Sequence, residues 1–312
     1  MADLTTSTAS TLSAVNITDL AFPDFLAPKT YEEVLQRLQA RLNSECIQLT
    51  GQPYIFHEAD PAHMVLQACA YEYWLAQQDY QTQVKNQTIA YAEGVWLDVI
   101  GADPRVKCQR LTIVPANPNA TPPVAAVMES DADYRARMVL RNEGYTTAGS
   151  SGAYLYHTLS VDGDIRDASV QSPNPGEVLL TVLTWSNNGS ASASLVNKVQ
   201  SVVSADVLRP LCDLITAQAA QVETYSVAAN ITTYPGADIP DTLARAKAAI
   251  EARCALHFKL DHDINRSDLI AAGSVVGVQK LELLQPAIDL VTNASTARRC
   301  TAVTLNHAGV AL

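Results

Sequence analysis

The sequence has few aromatic residues (12 Tyr, 4 Phe and 3 Trp in 312 residues, 6%) and few basic ones, 21 Lys and Arg against 32 Asp and Glu. A net charge of -11 repels phosphate backbones and anionic lipid surfaces, so no nucleic-acid partner is expected. No apolar run approaches the ~20 residues of a membrane-spanning helix, which argues for a soluble chain without membrane insertion. No basic residue precedes Lys29, and Met1 to Val15 is mostly Thr, Ser and Ala, so a cleaved secretion signal is not expected. The six cysteines (Cys46, Cys69, Cys108, Cys212, Cys254 and Cys300) include no Cys-x-x-Cys pair and read as reduced, buried thiols of a cytosolic protein. A glycine-rich phosphate loop is also absent, and no cofactor is expected.

What the chain does have is 46 alanines within a hydrophobic fraction of 48%, which favours close helix contacts over large-ring packing. Its length suits about two domains with real cores. Residues 1–29 read as an extended arm, Thr- and Ser-rich, with Phe22, Phe25 and Leu26 as hydrophobic anchors. Thr30 and Glu33 form a capping box ahead of Tyr31, Val34, Leu35, Leu38, Leu42, Cys46 and Leu49, a first amphipathic helix. Asp60-Pro61 starts a second, expected to run about thirty residues to Gly94, with Leu66, Cys69, Tyr73, Ala76, Tyr80 and Val84 along one stripe. A short apolar helical turn, Trp96 to Ile100, closes this region, 30–104.

The stretch 105–129, with prolines at 115, 118, 122 and 123, reads as a linker. From 130 to 220 the pattern gives helices at 133–140, 152–159 and 193–204 and strands at 165–170, 178–184 and 213–217. From 221 to 312 it gives a long strand at 222–233, helices at 240–256 and 267–272, and strands at 275–283 and 301–305. The fold class is therefore α+β, an N-terminal helical hairpin or bundle region followed by two small α+β domains.

Candidate chemistry is thin. His57, Glu58 and His63 lack the four-residue spacing that lets two helical histidines face one metal. Asp261, Asp263 and Asn265 open like a calcium loop, yet Arg266 stands where the turn glycine belongs and Ala272 where the bidentate carboxylate belongs; Ser267 or Asp268 capping the next helix is the better reading. Gly149-Ser150-Ser151-Gly152 follows no predicted strand, and His157 nearby has no partnered nucleophile, so the loop reads as a helix cap. No catalytic, cofactor or metal residue is assigned.

Several blocks in order resemble the baseplate J-like family, the wedge proteins of contractile phage tails and of related particles such as R-type pyocins. They are Tyr91-Ala-Glu-Gly94-Val-Trp96-Leu97-Asp98-Val-Ile100-Gly101, Glu129-Ser130-Asp131 leading into Tyr134-Arg135-Ala-Arg137, Thr147-Ala148-Gly149-Ser150-Ser151-Gly152-Ala153-Tyr154 with His157, Asp167-Ala-Ser169-Val170, Ser172 to Val178, Arg209-Pro210-Leu211-Cys212-Asp213 and Tyr234-Pro235-Gly236. Ile100 departs from the more usual leucine, and the proline-rich stretch is longer than this connection needs.

The resemblance implies a non-enzymatic structural component of the virion or tail-like particle, assembled in the bacterial host cytoplasm. Its partners would be a second copy of itself, a different baseplate wedge protein, a sheath-initiating baseplate protein and the central hub or spike. The stripe Leu35, Leu38, Leu42 with Leu66, Tyr73 and Tyr80 is the expected bundle interface, because a long helix with one shorter partner cannot cover its own apolar surface. The C-terminal half would pair between copies to close a ring, using edges of strands such as 222–233. The competing readings are a cytosolic α+β hydrolase with a site around Ser150, Ser151 and His157, a binding module outside phage biology, and a secretion-type contractile injector.

Overall fold

A computed structural model describes residues 21–23, 29–57 and 60–311. Most of the expected N-terminal arm, Phe25 and Leu26 included, lies outside the described residues. The chain divides into two compact units with their boundary between Gln109 and Arg110. The fold is α+β, helical at the N-terminus and sheet-containing thereafter.

The first unit is built on α1 (Tyr31–Thr50), α2 (Pro61–Lys85) and α3 (Gly94–Ala102). The capping box forms as the sequence predicts: Thr30 Oγ1 accepts from Glu33 N at 3.2 Å, and Thr30 N donates to Glu33 Oε2 at 2.8 Å. Asp60 caps α2 through Ala62 N, with Pro61 at the first helical position. One expectation fails here, since α2 ends at Lys85 and not near Gly94. Asn86 and the β-branched Thr88 and Ile89 compete with helical geometry; Thr88 Oγ1 donates to Lys85 O, and 86–93 folds into turns that bury Ala92. Phe22 packs edge-on to Tyr91, whose hydroxyl donates to Ala21 O.

The second unit begins with the proline-rich stretch. It carries a ladder of its own, β1 (Thr112–Val114) antiparallel to β2 (Val127–Met128), extended by a bridge between Asn117 and Val124. The prolines sit outside the paired residues, where a missing N–H removes no ladder bond. Next come α4 (Asp131–Leu140), α5 (Ser151–Leu159), β3 (Ile165–Gln171), β4 (Glu177–Thr184), α6 (Ala193–Val203) and β5 (Leu214–Ala219). Strand order is β3-β4-β5, an antiparallel pair followed by a parallel strand returned through α6. Its core joins Tyr154, Ile165, Leu180, Val182, Leu195, Val199 and Ile215.

The chain then changes sheets within one residue. β6 (Gln221–Thr233) starts two positions after β5 ends, and Ala220 N donates to Val182 O while Gln221 N donates to Ser295 O. After α7 (Ile239–His257) and α8 (Arg266–Gly273) come β7 (Val278–Gln285) and β8 (Thr296–Val310), in the order β7-β6-β8. β6 buries Tyr225, Val227, Ala229, Ile231 and Thr233, a strict period of two, against the α7 stripe Thr242, Ala246, Ile250 and Cys254.

Two expectations are corrected in this sheet. β8 spans fifteen residues where 301–305 were expected, because parallel pairing along the whole of β6 supplies hydrogen bonds that its weakly alternating sequence does not advertise. Glu223 and Arg298, cross-strand partners in that register, close a 2.8 Å ion pair. The edge expected at 222–233 survives only in part: β6 lies between β7 and β8 over 228–233, whereas over 221–227 its strand partner is β8 alone among the described residues. The expected side-chain cap of α8 is also absent. Asn265 stands at the cap without such a bond, Arg266 N donates instead to Asp289 Oδ1 at 2.7 Å, and Asp268 faces Arg253 and His257.

The two sheets share a core of Leu183, Ala220, Phe258, Leu260 and Ala297. Gly189, at φ +102°, lets the chain pass against it, since a Cβ there would meet the Phe258 ring at 2.5 Å. Arg166 stacks between Trp185 and Phe258, 4.3 and 4.9 Å from the ring centres, and donates to Phe258 O and Ala255 O at the C-terminus of α7. Its neighbour Asp167 accepts from Leu260 N, and burial pushes the Asp167 carboxyl above the usual carboxylate range.

Candidate functional site

The helical unit holds the first candidate surface. On α1 Val34 is buried and Tyr31, Leu35, Leu38, Gln39, Leu42, Asn43 and Cys46 are partly covered, one face at helical spacing. On α2 the matching face runs through His63, Leu66, Ala70, Trp74 and Gln77, and Gln39 Nε2 meets His63 Nε2 at 3.2 Å between the helices. Leu35, Leu38, Leu42 and Leu66 are therefore half-buried in the seam of the hairpin. Tyr73 and Tyr80 are not: they are 43% and 61% exposed, on a second α2 stripe of Val65, Cys69, Tyr73, Ala76 and Tyr80 spaced four, four, three and four residues apart. The Arg37 guanidinium lies 4.7 Å from the Tyr73 ring centre and holds its phenol below the ordinary value.

Sequence reasoning missed Val65 and its neighbour Met64, both largely exposed, and Trp96 on α3, 56% exposed. Val65 was detectable, standing four residues before Cys69 on the stripe. Trp96 reads as core by type, and only the structure shows it uncovered. The thiols also depart from expectation: Cys108 and Cys254 are buried, Cys46 and Cys300 half-buried, and Cys69 and Cys212 exposed. A small apolar residue on a helix stripe is buried only if that stripe has a partner within the chain.

The second unit shows what the sequence blocks do physically. Arg137 grips Glu129 with two parallel bonds, Nε to Oε1 at 2.9 Å and Nη2 to Oε2 at 2.6 Å, with both side chains nearly buried. Glu129 Oε2 also accepts from Leu111 N, and Arg110 donates to Glu129 O, pairs with Asp131 and lies over the Tyr134 ring. Glu129 to Arg137 is thus a charged clasp fastening α4 to the strand-rich stretch before it. It lines a cavity of about 360 Å³ together with Asp133, Arg166, Asp167 and Trp185.

The Thr147 to Tyr154 block meets the Arg209 to Asp213 block. Tyr154 OH donates to Asp213 Oδ2 at 2.6 Å, and burial, followed by that carboxylate, raises the phenol well above its ordinary value. Gly149 adopts φ +76°, and a Cβ there would meet Asp213 and Pro210 at 2.8 Å, so any side chain at this position is both strained and crowded. Arg209 bonds Ser204 O and Asp213 O, holding the loop while Leu211 stands 94% exposed.

The hydrolase reading finds no support in this geometry. Ser150 is the N-cap of α5, its Oγ accepting from Ala153 N at 3.2 Å, as the helix-cap reading expects. His157 lies seven positions further along the same helix, about 10 Å of axial rise from Ser150, with burial foremost in holding its ring below the usual histidine range. The structure does not bring the pair together. Ser150→Ala should cost about 1 kcal/mol through the lost cap, seen as a lower urea midpoint with an unchanged slope. Glu58 lies outside the described residues; His63 Nδ1 faces His57 O within the helical unit, and Asp263 Oδ1 accepts from Thr292 N. No metal-holding group of three His, Cys, Asp or Glu occurs among the described residues, and no described helix is long and apolar enough to cross a membrane.

Three family models match along the chain: the baseplate J-like N-terminal domain over residues 58–117, the central domain over 146–219 and the C-terminal domain over 225–306. The chain is 37% identical over 290 residues to baseplate protein J of Escherichia phage P2, covering 92% of this chain and 95% of that protein. Among solved structures it is similar to a chain in the cryo-EM, six-fold symmetrised baseplate of the anti-feeding prophage, at 14% identity and a TM-score of 0.40. That likeness covers 57% of this chain and 43% of the other.

Proposed function

The chain belongs to the baseplate J-like family, structural proteins of phage or tail-like-particle baseplates, and from that premise we propose that it is a wedge component assembling with a second copy of itself and a different wedge protein around the hub. The observation that carries this reading is the uncovered α2 stripe, Val65, Cys69, Tyr73, Ala76 and Tyr80, continued in kind by Met64 and by Trp96 on α3. A folded monomer has no use for so much exposed apolar and aromatic surface along a helix, and a bundle with helices of partner chains would cover it. Leu35, Leu38, Leu42 and Leu66 then act one step removed, setting the hairpin whose outer face carries Tyr73 and Tyr80.

The C-terminal half would contact neighbouring copies through the outer edge of β8, where Thr301 to Val310 carries no Asp, Glu, Lys or Arg. Sheath-initiating protein and hub would be further neighbours, with assembly in the host cytoplasm. Interfaces rather than reacting groups would carry the energy of any rearrangement of the ring.

Light scattering on the chain alone and after co-expression with the product of the adjacent tail gene tests the reading. A complex holding two copies of this chain per partner is the expected result. A chain that stays monomeric and ignores the partner would overturn the wedge assignment.

A further inference from the structure

Two histidines of the second unit have no part in the assembly reading. His257 is the last residue of α7 and His262 lies in the segment joining α7 to α8; their ring centres are 4.4 Å apart, with the planes tilted by 58°. His257 Nε2 is 3.2 Å from Asp268 Oδ2 of α8, whose other carboxylate oxygen pairs with Arg253 Nη1 at 3.4 Å. His257 Nδ1 is shut off from solvent without a hydrogen-bond partner. The remaining charged groups around the pair are Lys259, Asp261 and Asp263 on the joining segment. His262 also lines the 360 Å³ cavity, across which stand Arg166 and Asp167 of β3, Asp133 of α4 and the mutually paired Glu129 and Arg137.

The segment 258–264 closes the junction of the two sheets. Phe258 and Leu260 belong to their shared core, Leu260 N donates to Asp167 Oδ2, and Leu260 bridges Ala297. Asp261 N donates to Asn293 O at 3.2 Å, and Ile264 exchanges backbone bonds with Leu290. Asp261, one residue before His262, turns the chain in the left-handed region at φ +54°.

We propose that the His257–His262 stack is an acid-opened latch on this segment: uncharged, the rings hold it against the sheet junction, and protonation of both drives them apart and releases it. A proton on His257 makes Nδ1 a donor with no acceptor, a cost that Asp268 and the C-terminal end of α7 offset only in part. A second proton, on His262, sits 4.4 Å from that charge and near Lys259, so it is accepted when the rings separate. Burial foremost holds both rings below the usual histidine range. The opened segment therefore binds more protons than the closed one. Closure is fully favoured above the ordinary histidine value of about 6.5 and is lost as pH falls below it.

Histidine ring titration by NMR and hydrogen exchange of the full-length chain, between about pH 8 and pH 5, test this. The two rings should titrate below the ordinary range and in coupled steps. After correction for intrinsic exchange, peptides covering 258–264 should lose protection by more than tenfold and up to about a hundredfold per pH unit, the mark of two protons. In His262→Gln the His257 ring should titrate higher than in wild type, and the loss of protection should shrink to at most about tenfold per pH unit. Rings that titrate independently, or wild-type protection over 258–264 that does not fall with acid, would overturn the latch. Should His262→Gln fail to fold, the wild-type exchange slope still decides. The measurement needs no partner protein, so its failure leaves the wedge assignment untouched, and failure of assembly leaves the latch untouched.

Discussion

Replacing Tyr73 and Tyr80 together by glutamate is expected to abolish capture of the partner wedge protein while leaving the chain folded. Both rings are outside the seam of the helical hairpin, 43% and 61% exposed, so charge at these positions stays hydrated in the monomer. Within the chain Tyr73 would lose its contacts with Arg37 and Gln77. In a bundle the same positions would be dry. A buried aromatic anchor is worth roughly 2 kcal/mol or more, about thirtyfold in affinity for each ring, and an unpaired carboxylate in its place adds a desolvation penalty. The folded circular dichroism spectrum should match wild type while the co-purified complex disappears. Unchanged complex formation would sink the bundle reading. Leu38→Glu is the less informative variant, because Leu38 is half-buried on the seam face of α1 and its charge would disturb the hairpin itself.

Arg137→Ala should destabilise the second unit by about 3–5 kcal/mol. The substitution strands Glu129, whose carboxylate is nearly buried and would keep only the bond from Leu111 N. For a unit of this size that loss corresponds to roughly 6–20 °C in melting temperature. The double change Glu129→Leu with Arg137→Met should restore most of the stability, because removing both charges leaves no orphan behind. A single variant melting within about 2 °C of wild type would show that the clasp does not hold α4 in place. The Glu129 and Arg137 blocks, set apart in the sequence only as a resemblance, acquire a physical reason here: each supplies one half of a bidentate pair.

Where residues act within one turn of themselves, the sequence alone determined the outcome. Thr30 with Glu33, Asp60 with Pro61, and Ser150 ahead of α5 place their helix starts because a cap bonds amides two or three positions away. The strict alternation from Tyr225 to Thr233 likewise fixes β6 and its buried face. Family membership was legible for a related reason, since its blocks combine turn glycines, caps and prolines whose roles are local.

Only the tertiary structure decided what depends on the far side of a contact. Helical spacing groups Leu66 with Tyr73 and Tyr80, but which stripe of α2 faces α1 is set by where α1 packs, and that sends Leu66 to the seam and the tyrosines to solvent. β8 extends to fifteen residues because a parallel partner distant in the chain supplies the hydrogen bonds, and β6 is flanked on both sides only over 228–233, where β7 returns beside it. Arg137 finds Glu129 and Tyr154 finds Asp213 by the same route: local spacing fixes a side chain's direction, and the chain's return path fixes what it meets.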